Sequence, residues 1–162
     1  METMEARPGS VEALFASEFP RLVRGLSVAY DTESAADAVQ EAFIAADRRW
    51  RTVSTYDDPA GWVRRVALNR LANGRRNRRR RREILEAVRP VVPDDLTAEL
   101  VDLRAAVADL PEKMRLAVCL HHLSGLPVDD VAEALGVSPG TVKSNLHDAR
   151  TKLRAALEDS NA

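Results

Sequence analysis

The chain is poor in the residues that mark secreted, membrane-embedded or sheet-rich proteins. It holds a single cysteine, so no disulfide can form within it, and a reducing cytoplasmic location is expected. No apolar run has membrane-spanning length, and the first residues, METMEARPGS, lack the basic-then-apolar pattern of a secretory signal. Aromatic residues make up only 4%, whereas alanine and leucine are abundant. This composition favours an all-α protein without membrane insertion.

Charge is unevenly distributed along the 162 residues, although the net charge is only −1. Residues 1–82 hold 16 arginines against 11 acidic residues, and seven of those arginines fall within the eight positions 75–82. Residues 83–100 hold one arginine against five acidic residues, together with Pro90 and Pro93, which break helices. The sequence therefore predicts two small helical domains, 8–82 and 101–158, joined by a flexible acidic linker, 83–100.

The predicted first domain contains three apolar stripes at helical spacing, and two polar faces lie outside them. The third stripe follows Asp58 and Pro59, an acid that can cap a helix and a proline that suits its first turn. The polar face of the second helix holds Asp37, Gln40 and Glu41. The polar face of the third helix holds Arg64, Arg65, Asn69, Arg70, Asn73 and Arg76. Such a face can follow a nucleic-acid backbone and hydrogen-bond base edges; a solvated helix with a disordered basic tail is the alternative.

The strongest local pattern lies in residues 126–157. A short apolar-periodic segment, 128–135, is followed by Gly136, and Ser138 with Pro139 can begin a second helix. This arrangement is typical of a helix-turn-helix, whose second helix places its N-terminal half in the major groove; an ordinary helical hairpin is the alternative. The candidate contacts to base edges and phosphates are Ser138, Gly140, Thr141, Lys143, Ser144, His147 and Arg150.

Four stretches resemble, in order, the extracytoplasmic-function (group IV) sigma factors of bacterial RNA polymerase. They are DAVQEAFIAADRRW (37–50), WVRRVALNRLANGRR (62–76), LPEKMRLAVCLHHLSGLPVDDVAEALGVS (110–138) and PGTVKSNLHDARTKL (139–153). The resemblance covers nearly the whole chain and implies a sigma region 2-type helical bundle and a region 4-type helix-turn-helix. It implies a specificity subunit that is not an enzyme, is monomeric when free, and directs core RNA polymerase to promoter DNA.

The resemblance also implies roles for individual residues. The face of Asp37, Gln40 and Glu41 would dock on a coiled coil of the largest catalytic subunit. The third helix, with Asn69 and its neighbouring arginines, would hold the melted minus-ten element, and the second helix of the helix-turn-helix would read the minus-thirty-five element. The acidic linker would pass through a basic channel of the polymerase, while the arginines of 75–82 would lie beside DNA phosphates. An anti-sigma factor would be a further partner.

Several positions depart from the family pattern. Asn145 and Asp148 stand where relatives commonly carry basic residues, which predicts weak contact with the upstream promoter element. Ala36 and Asn73 each replace a frequent acid in the first domain. A stand-alone helix-turn-helix regulator and a sigma-like protein–protein adaptor with weakened DNA binding therefore remain alternatives.

Metal and cofactor sites are not expected. Cys119, His121, His122 and the remote His147 do not match the spacing of zinc sites, and adjacent histidines point to different faces of a helix. Cys119 is expected in the core as a small apolar residue. Trp50 and Trp62 are also expected in the core, since they lie on apolar stripes.

Overall fold

The computed structural model describes residues 9–84 and 98–161, and the side chains of 9–74 and 101–161. Every regular element in these ranges is helical, which confirms the all-α prediction. The helices are α1 (Val11–Ala29), α2 (Thr32–Arg48), α3 (Trp50–Val53), α4 (Pro59–Ile84), α5 (Ala98–Ala108), α6 (Glu112–Val118), α7 (Val128–Leu135) and α8 (Pro139–Ser160). A π-helical turn, Cys119–Leu123, continues α6. Most of the predicted acidic linker, residues 85–97, lies outside the described residues.

Four helices begin at a short polar side chain that accepts a hydrogen bond from the amide three residues later. The pairs are Ser10 with Ala13 (3.1 Å), Asp31 with Ser34 (2.7 Å), Asp58 with Gly61 (3.0 Å) and Ser138 with Thr141 (3.1 Å). Each bond satisfies one of the amides that the start of a helix leaves without an intrahelical partner. The caps predicted at Asp58 and Ser138 are confirmed.

One helix boundary differs from the sequence prediction. α2 ends at Arg48, and Trp50, which was expected on the apolar stripe of that helix, begins the short α3 instead. Trp50 is consequently half-buried beside a cleft of about 340 Å³ instead of lying in the core, whereas Trp62 does pack against the core. α4 continues to Ile84, so the backbone of the arginine-rich run 75–82 is helical, in keeping with the good helix propensity of arginine.

The buried residues of both halves form one hydrophobic cluster. Leu22 and Leu26 of α1 and Leu71 of α4 belong to it, and so do Leu120 and Val131 from the second half. The two predicted domains therefore pack together in this structure, and the boundaries of the predicted linker, 83–100, stay a prediction. Within the described ranges, no helix is long and apolar enough to cross a bilayer.

α1 and the π-helical turn approach each other closely where the two halves meet. A Cβ added at Gly25 would lie 2.7 Å from the carbonyl oxygen of Cys119 and 2.1 Å from the hydroxyl of Ser124, so only glycine fits here without movement. Nearby, Arg21 donates from Nε to the carbonyl of Ser124 and from Nη2 to that of Gly125, both at 2.9 Å. These bonds satisfy carbonyl groups that the end of the turn leaves free.

Candidate polymerase and nucleic-acid interfaces

The polar face of α2 is exposed as the sequence predicts. Asp37, Gln40 and Glu41 all point to solvent, and Glu41 accepts a hydrogen bond of 2.8 Å from Nη1 of Arg70 on α4. Ile44, which is 46% exposed, lies on the same face, seven residues after Asp37 and four after Gln40. The sequence prediction named only polar side chains on this face, so Ile44 was missed although its spacing places it with them.

α4 presents most of its predicted polar face to solvent. Arg65, Asn69, Arg70 and Asn73 are exposed along one continuous helix. Arg76 lies on the same helix, but its side chain is outside those that the structure describes. Since an α-helix rises about 1.5 Å per residue, the exposed groups extend over roughly 12 Å, the length of several nucleotides along a strand.

Arg64 differs from this pattern, because its side chain is buried. It is only 5% exposed, and its Nε and Nη2 donate to the two carboxylate oxygens of Glu18 at 3.2 and 3.0 Å. Its Nη1 also lies 3.7 Å from a carboxylate oxygen of Asp130, on α7. The expectation that Arg64 faces solvent is therefore corrected: α1 and α7 enclose the guanidinium in this arrangement.

Three carboxylates from the two halves meet beside these arginines. The side-chain oxygens of Asp58, Asp130 and Glu133 lie within 4.8 Å of one another. Arg65 places Nη1 at 3.6 Å from Glu133, and Arg64 contacts Asp130, so guanidinium groups supply the opposite charge. The cluster is best described as part of an ion-pair network between α4 and α7.

α8 exposes the whole predicted recognition row. The side chains of Ser138, Thr141, Lys143, Ser144, His147 and Arg150 and the backbone of Gly140 face solvent, whereas Val142 and Ala149 are fully buried. The turn before α8 is made by Gly136, whose φ of +67° places it in the left-handed region that glycine adopts without strain. The exposed Asp148 adds negative charge to this surface.

His121 and Cys119 of the second half serve local structure. His121 has Nδ1 at 2.7 Å from the carbonyl oxygen of Leu126, and Cys119 is completely buried, as expected for a core residue. Burial raises the pKa of the Cys119 thiol to about 12, against the opposing influence of Arg115. Burial also lowers the pKa of His122, and the positive charges of His121 and Arg150 add to this effect.

An apolar groove on the second half is lined by residues of α5, α6, the π-helical turn and α8. Its walls include Val118, Leu146 and Leu153, and its volume is about 440 Å³. Leu103 and Leu123 are 40% and 37% exposed. Leu103 lines this groove.

Comparisons with known proteins match both halves of the chain. Residues 17–81 match the profile of Sigma-70 region 2, and residues 100–153 match that of Sigma-70, region 4. The RNA polymerase sigma-E factor of Streptomyces avermitilis is 33% identical over 132 residues, which cover 79% of this chain and 73% of that protein. The ECF RNA polymerase sigma factor SigE of Mycolicibacterium smegmatis is 34% identical over 135 residues, which cover 76% of this chain but only 51% of that protein.

Solved structures of sigma factors share the fold. The sigma factor RpoE, in complex with the anti-sigma factor NepR from Bartonella quintana, superposes with a TM-score of 0.72 at 22% identity, covering 91% of this chain and 96% of that one. CnrH, in complex with the cytosolic domain of CnrY, gives a TM-score of 0.66 at 25% identity, covering 94% and 89%. With both regions present in order, the chain belongs to the extracytoplasmic-function group of RNA polymerase sigma factors.

Proposed function

We propose that this protein binds core RNA polymerase and directs it to promoters by dividing promoter recognition between its two halves. The observation that carries the proposal is the pair of exposed polar helix faces, one on α4 and one on α8, in a chain that matches both sigma regions. The phosphodiester chemistry is left to the polymerase, in the bacterial cytoplasm where that enzyme acts.

The first half would hold the melted minus-ten element. Arg65 and Arg70 of α4 can pair with phosphates, and Asn69 and Asn73 can make paired hydrogen bonds to unstacked bases. Arg76 continues the same face, whereas Arg64 is engaged by Glu18 of the same half and supports the helix from its buried side. Because these contacts neutralise phosphates, binding should weaken steeply with salt.

The second half would read the minus-thirty-five element as duplex DNA. α8 offers Thr141, Ser144 and His147 as hydrogen-bonding groups and Lys143 and Arg150 as cations, on a helix whose opposite side is anchored in the core. A helix with these features fits the major groove. Asp148 opposes phosphate binding, so we expect this half to need the polymerase to hold it on the promoter.

The exposed face of α2 would dock on the largest catalytic subunit of core polymerase. Asp37, Gln40 and Glu41 supply polar contacts, and Ile44 supplies an apolar group that becomes buried in the complex. Interfaces of this kind commonly place an apolar anchor within a polar rim. An anti-sigma factor is a further proposed partner, supported by the two sigma factors of similar fold that were solved with such proteins.

In vitro transcription tests the proposal directly. Purified core polymerase and genomic DNA fragments are incubated with and without the protein, and the 5′ ends of the transcripts are mapped. New start sites that share two spaced sequence elements are expected only when the protein is present. Core binding without any new start site would favour the adaptor, and dimeric binding to DNA without polymerase would favour the stand-alone regulator.

A further inference from the structure

A buried ion pair within the first half holds the helix that carries the proposed minus-ten surface. Glu18 of α1 and Arg64 of α4 are 4% and 5% exposed, and both carboxylate oxygens of Glu18 accept hydrogen bonds from Arg64, at 3.0 and 3.2 Å. Arg21 of α1 also donates to this carboxylate, from Nη1 to Oε1 at 3.2 Å. Because a planar guanidinium bonded to both oxygens is fixed in orientation as well as in position, the pair constrains α4 more closely than a single contact would.

This ion pair lies at one border of the buried stripe of α4. Three residues without any exposed surface form that stripe: Val63, Ala67 and Leu71. At about 100° per residue, Arg64 projects about 60° to one side of the stripe and Arg70 about 60° to the other. At the second border, Arg70 donates a hydrogen bond of 2.8 Å to Glu41 of α2. Contacts on both sides of the stripe, from α1 and from α2, therefore oppose rotation of α4 about its own axis.

The two contacts constrain that rotation unequally. The pair of Arg70 with Glu41 is at the surface, with side chains 45% and 56% exposed, and exposed pairs contribute little. The pair of Glu18 with Arg64 is buried and bonded through both oxygens, so it supplies the stronger constraint. On the far side of the helix, about 160° from the buried stripe, Asn69 projects into solvent. The direction of this amide therefore depends on the rotation that Glu18 and Arg64 fix.

Phosphate contacts and base contacts place different demands on that direction. A long basic side chain can follow a phosphate through a small rotation of its helix, whereas an amide must align its donor and its acceptor with a base edge. We propose that Glu18 is a positioning residue for promoter recognition: acting through Arg64, it fixes the rotation of α4 at which Asn69 meets a base of the melted strand. This inference rests on the proposed minus-ten role of α4.

Discrimination between DNA strands by the holoenzyme, core polymerase with this protein bound, tests the inference. The probe is a fluorescein-labelled non-template strand from the minus-ten region of a start site mapped with the parent protein, compared with the same bases in scrambled order. The test variant, Glu18→Leu with Arg64→Met, leaves the net charge unchanged and no buried charge unpaired, so the protein should stay folded. It should bind the scrambled strand as the parent does and lose about tenfold of the preference for the promoter strand, the contribution of one well-aligned base contact.

Two further variants separate positioning from charge and from stability. Arg64→Lys keeps the positive charge of α4 but binds as a point charge, so it cannot hold both oxygens of Glu18 in one plane. It should lose preference in the same direction as the double variant, and it replaces that variant in the comparison should the latter not fold. The control, Leu26→Ala, removes a fully buried side chain of α1. It should destabilise the protein at least as much as the double variant and keep the preference of the parent.

A double variant that keeps the parent's preference would overturn the inference, and so would a Leu26→Ala control that loses as much of it. Glu18→Gln adds a third check, because tighter binding of both strands by this variant would mean that Glu18 withholds Arg64 from phosphates instead of positioning α4. All three results would leave initiation by the parent holoenzyme intact. Failure of the parent holoenzyme to initiate, or to prefer the promoter strand, would instead overturn the proposed function.

Discussion

Arg64 donates from Nε and Nη2 to the two carboxylate oxygens of Glu18, joining α4 to α1 through a pair of charges that are both almost completely buried. Arg21 also contacts this carboxylate, with Nη1 at 3.2 Å from Oε1. Burying two charges is costly unless they pair with good geometry, and here each has several partners. The pair therefore fixes the angle between α1 and α4 more than it adds net stability.

Removing the acid from this pair should destabilise the protein strongly. Glu18→Ala leaves the guanidinium of Arg64 buried with only the more distant Asp130, so we expect a loss of about 3 kcal/mol in the free energy of unfolding. Urea denaturation followed by circular dichroism measures it. Asp148→Ala, an exposed acid in the middle of α8, serves as the control and should change stability by less than about 0.5 kcal/mol.

Replacing both partners separates the cost of an unpaired buried charge from the net contribution of the ion pair to the free energy of unfolding. Glu18→Leu with Arg64→Met should recover most of the stability lost by Glu18→Ala, because no buried charge is then left alone. If the double variant is as unstable as the single one, the pair itself contributes the stability and our account of it is wrong.

Two glycines four residues apart should respond oppositely to alanine. Gly136, with φ of +67°, ends α7 in the left-handed region, so Gly136→Ala should cost about 1 kcal/mol. Gly140 lies in the first turn of α8, where an added Cβ meets only the Ser138 hydroxyl at 3.8 Å. Gly140→Ala should leave stability unchanged or raise it by up to about 1 kcal/mol. Thermal unfolding of both variants shows whether each substitution raises or lowers the stability. If both change it in the same direction, the turn geometry assigned to Gly136 is wrong.

The exposed face of α2 should be needed for polymerase binding and dispensable for folding. Alanine at Asp37, Gln40 and Glu41 together should weaken core binding at least tenfold, and Ile44→Ala should do the same if its side chain is an anchor of the contact. Competition for core polymerase against the labelled parent protein measures the affinity, and urea denaturation should show little change.

The matched control for that face replaces exposed polar residues elsewhere. Alanine at Asp129, Lys152 and Asp159 changes as many exposed side chains on α7 and α8. If the control variant loses as much affinity for core polymerase, α2 is not the docking surface.

Cys119 should be inert in the folded protein and should make stability depend on alkaline pH. Burial raises its pKa from 9.0 to about 12, so the folded state keeps the thiol proton over a range where the unfolded state releases it. The resulting stability is fully present below pH 9 and is lost as pH rises toward 12.

Two measurements check this. A thiol reagent at pH 8 should modify the unfolded chain rapidly and the folded chain slowly. Between pH 8 and pH 10, the unfolding free energy of the parent protein should fall faster than that of Cys119→Ala, since other ionisable groups are common to both. If the unfolding free energies of the two proteins fall in parallel with pH, the thiol has the same pKa in the folded and the unfolded state.

The local features of the fold could be predicted from the sequence because the interacting groups are close along the chain. The caps at Asp58 and Ser138 bond to amides three residues later, and α7 begins and ends where the apolar spacing and Gly136 indicate. The recognition row of α8 was likewise predictable, since helical periodicity alone separates it from buried positions such as Val142.

The environment of α4 could not be predicted in the same way. Arg64 and Arg65 are chemically identical neighbours, yet one is buried and the other is 48% exposed at its side chain. What distinguishes them is Glu18, 46 residues away from Arg64, whose carboxylate accepts two hydrogen bonds from the Arg64 guanidinium. Helical periodicity gives the direction of a side chain, but it does not reveal which other element will cover that direction.

The sequence by itself determined most of the helices, the caps at Asp58 and Ser138 and the exposed polar faces of α4 and α8, because these depend on local hydrogen bonding and on the 3.6-residue period of a helix. Tertiary structure alone decided that α1 packs on the π-helical turn at Gly25 and that Asp130 and Glu133 meet the arginines of α4. Those contacts join groups far apart in the chain, so they exist only once hydrophobic burial has brought the two halves together.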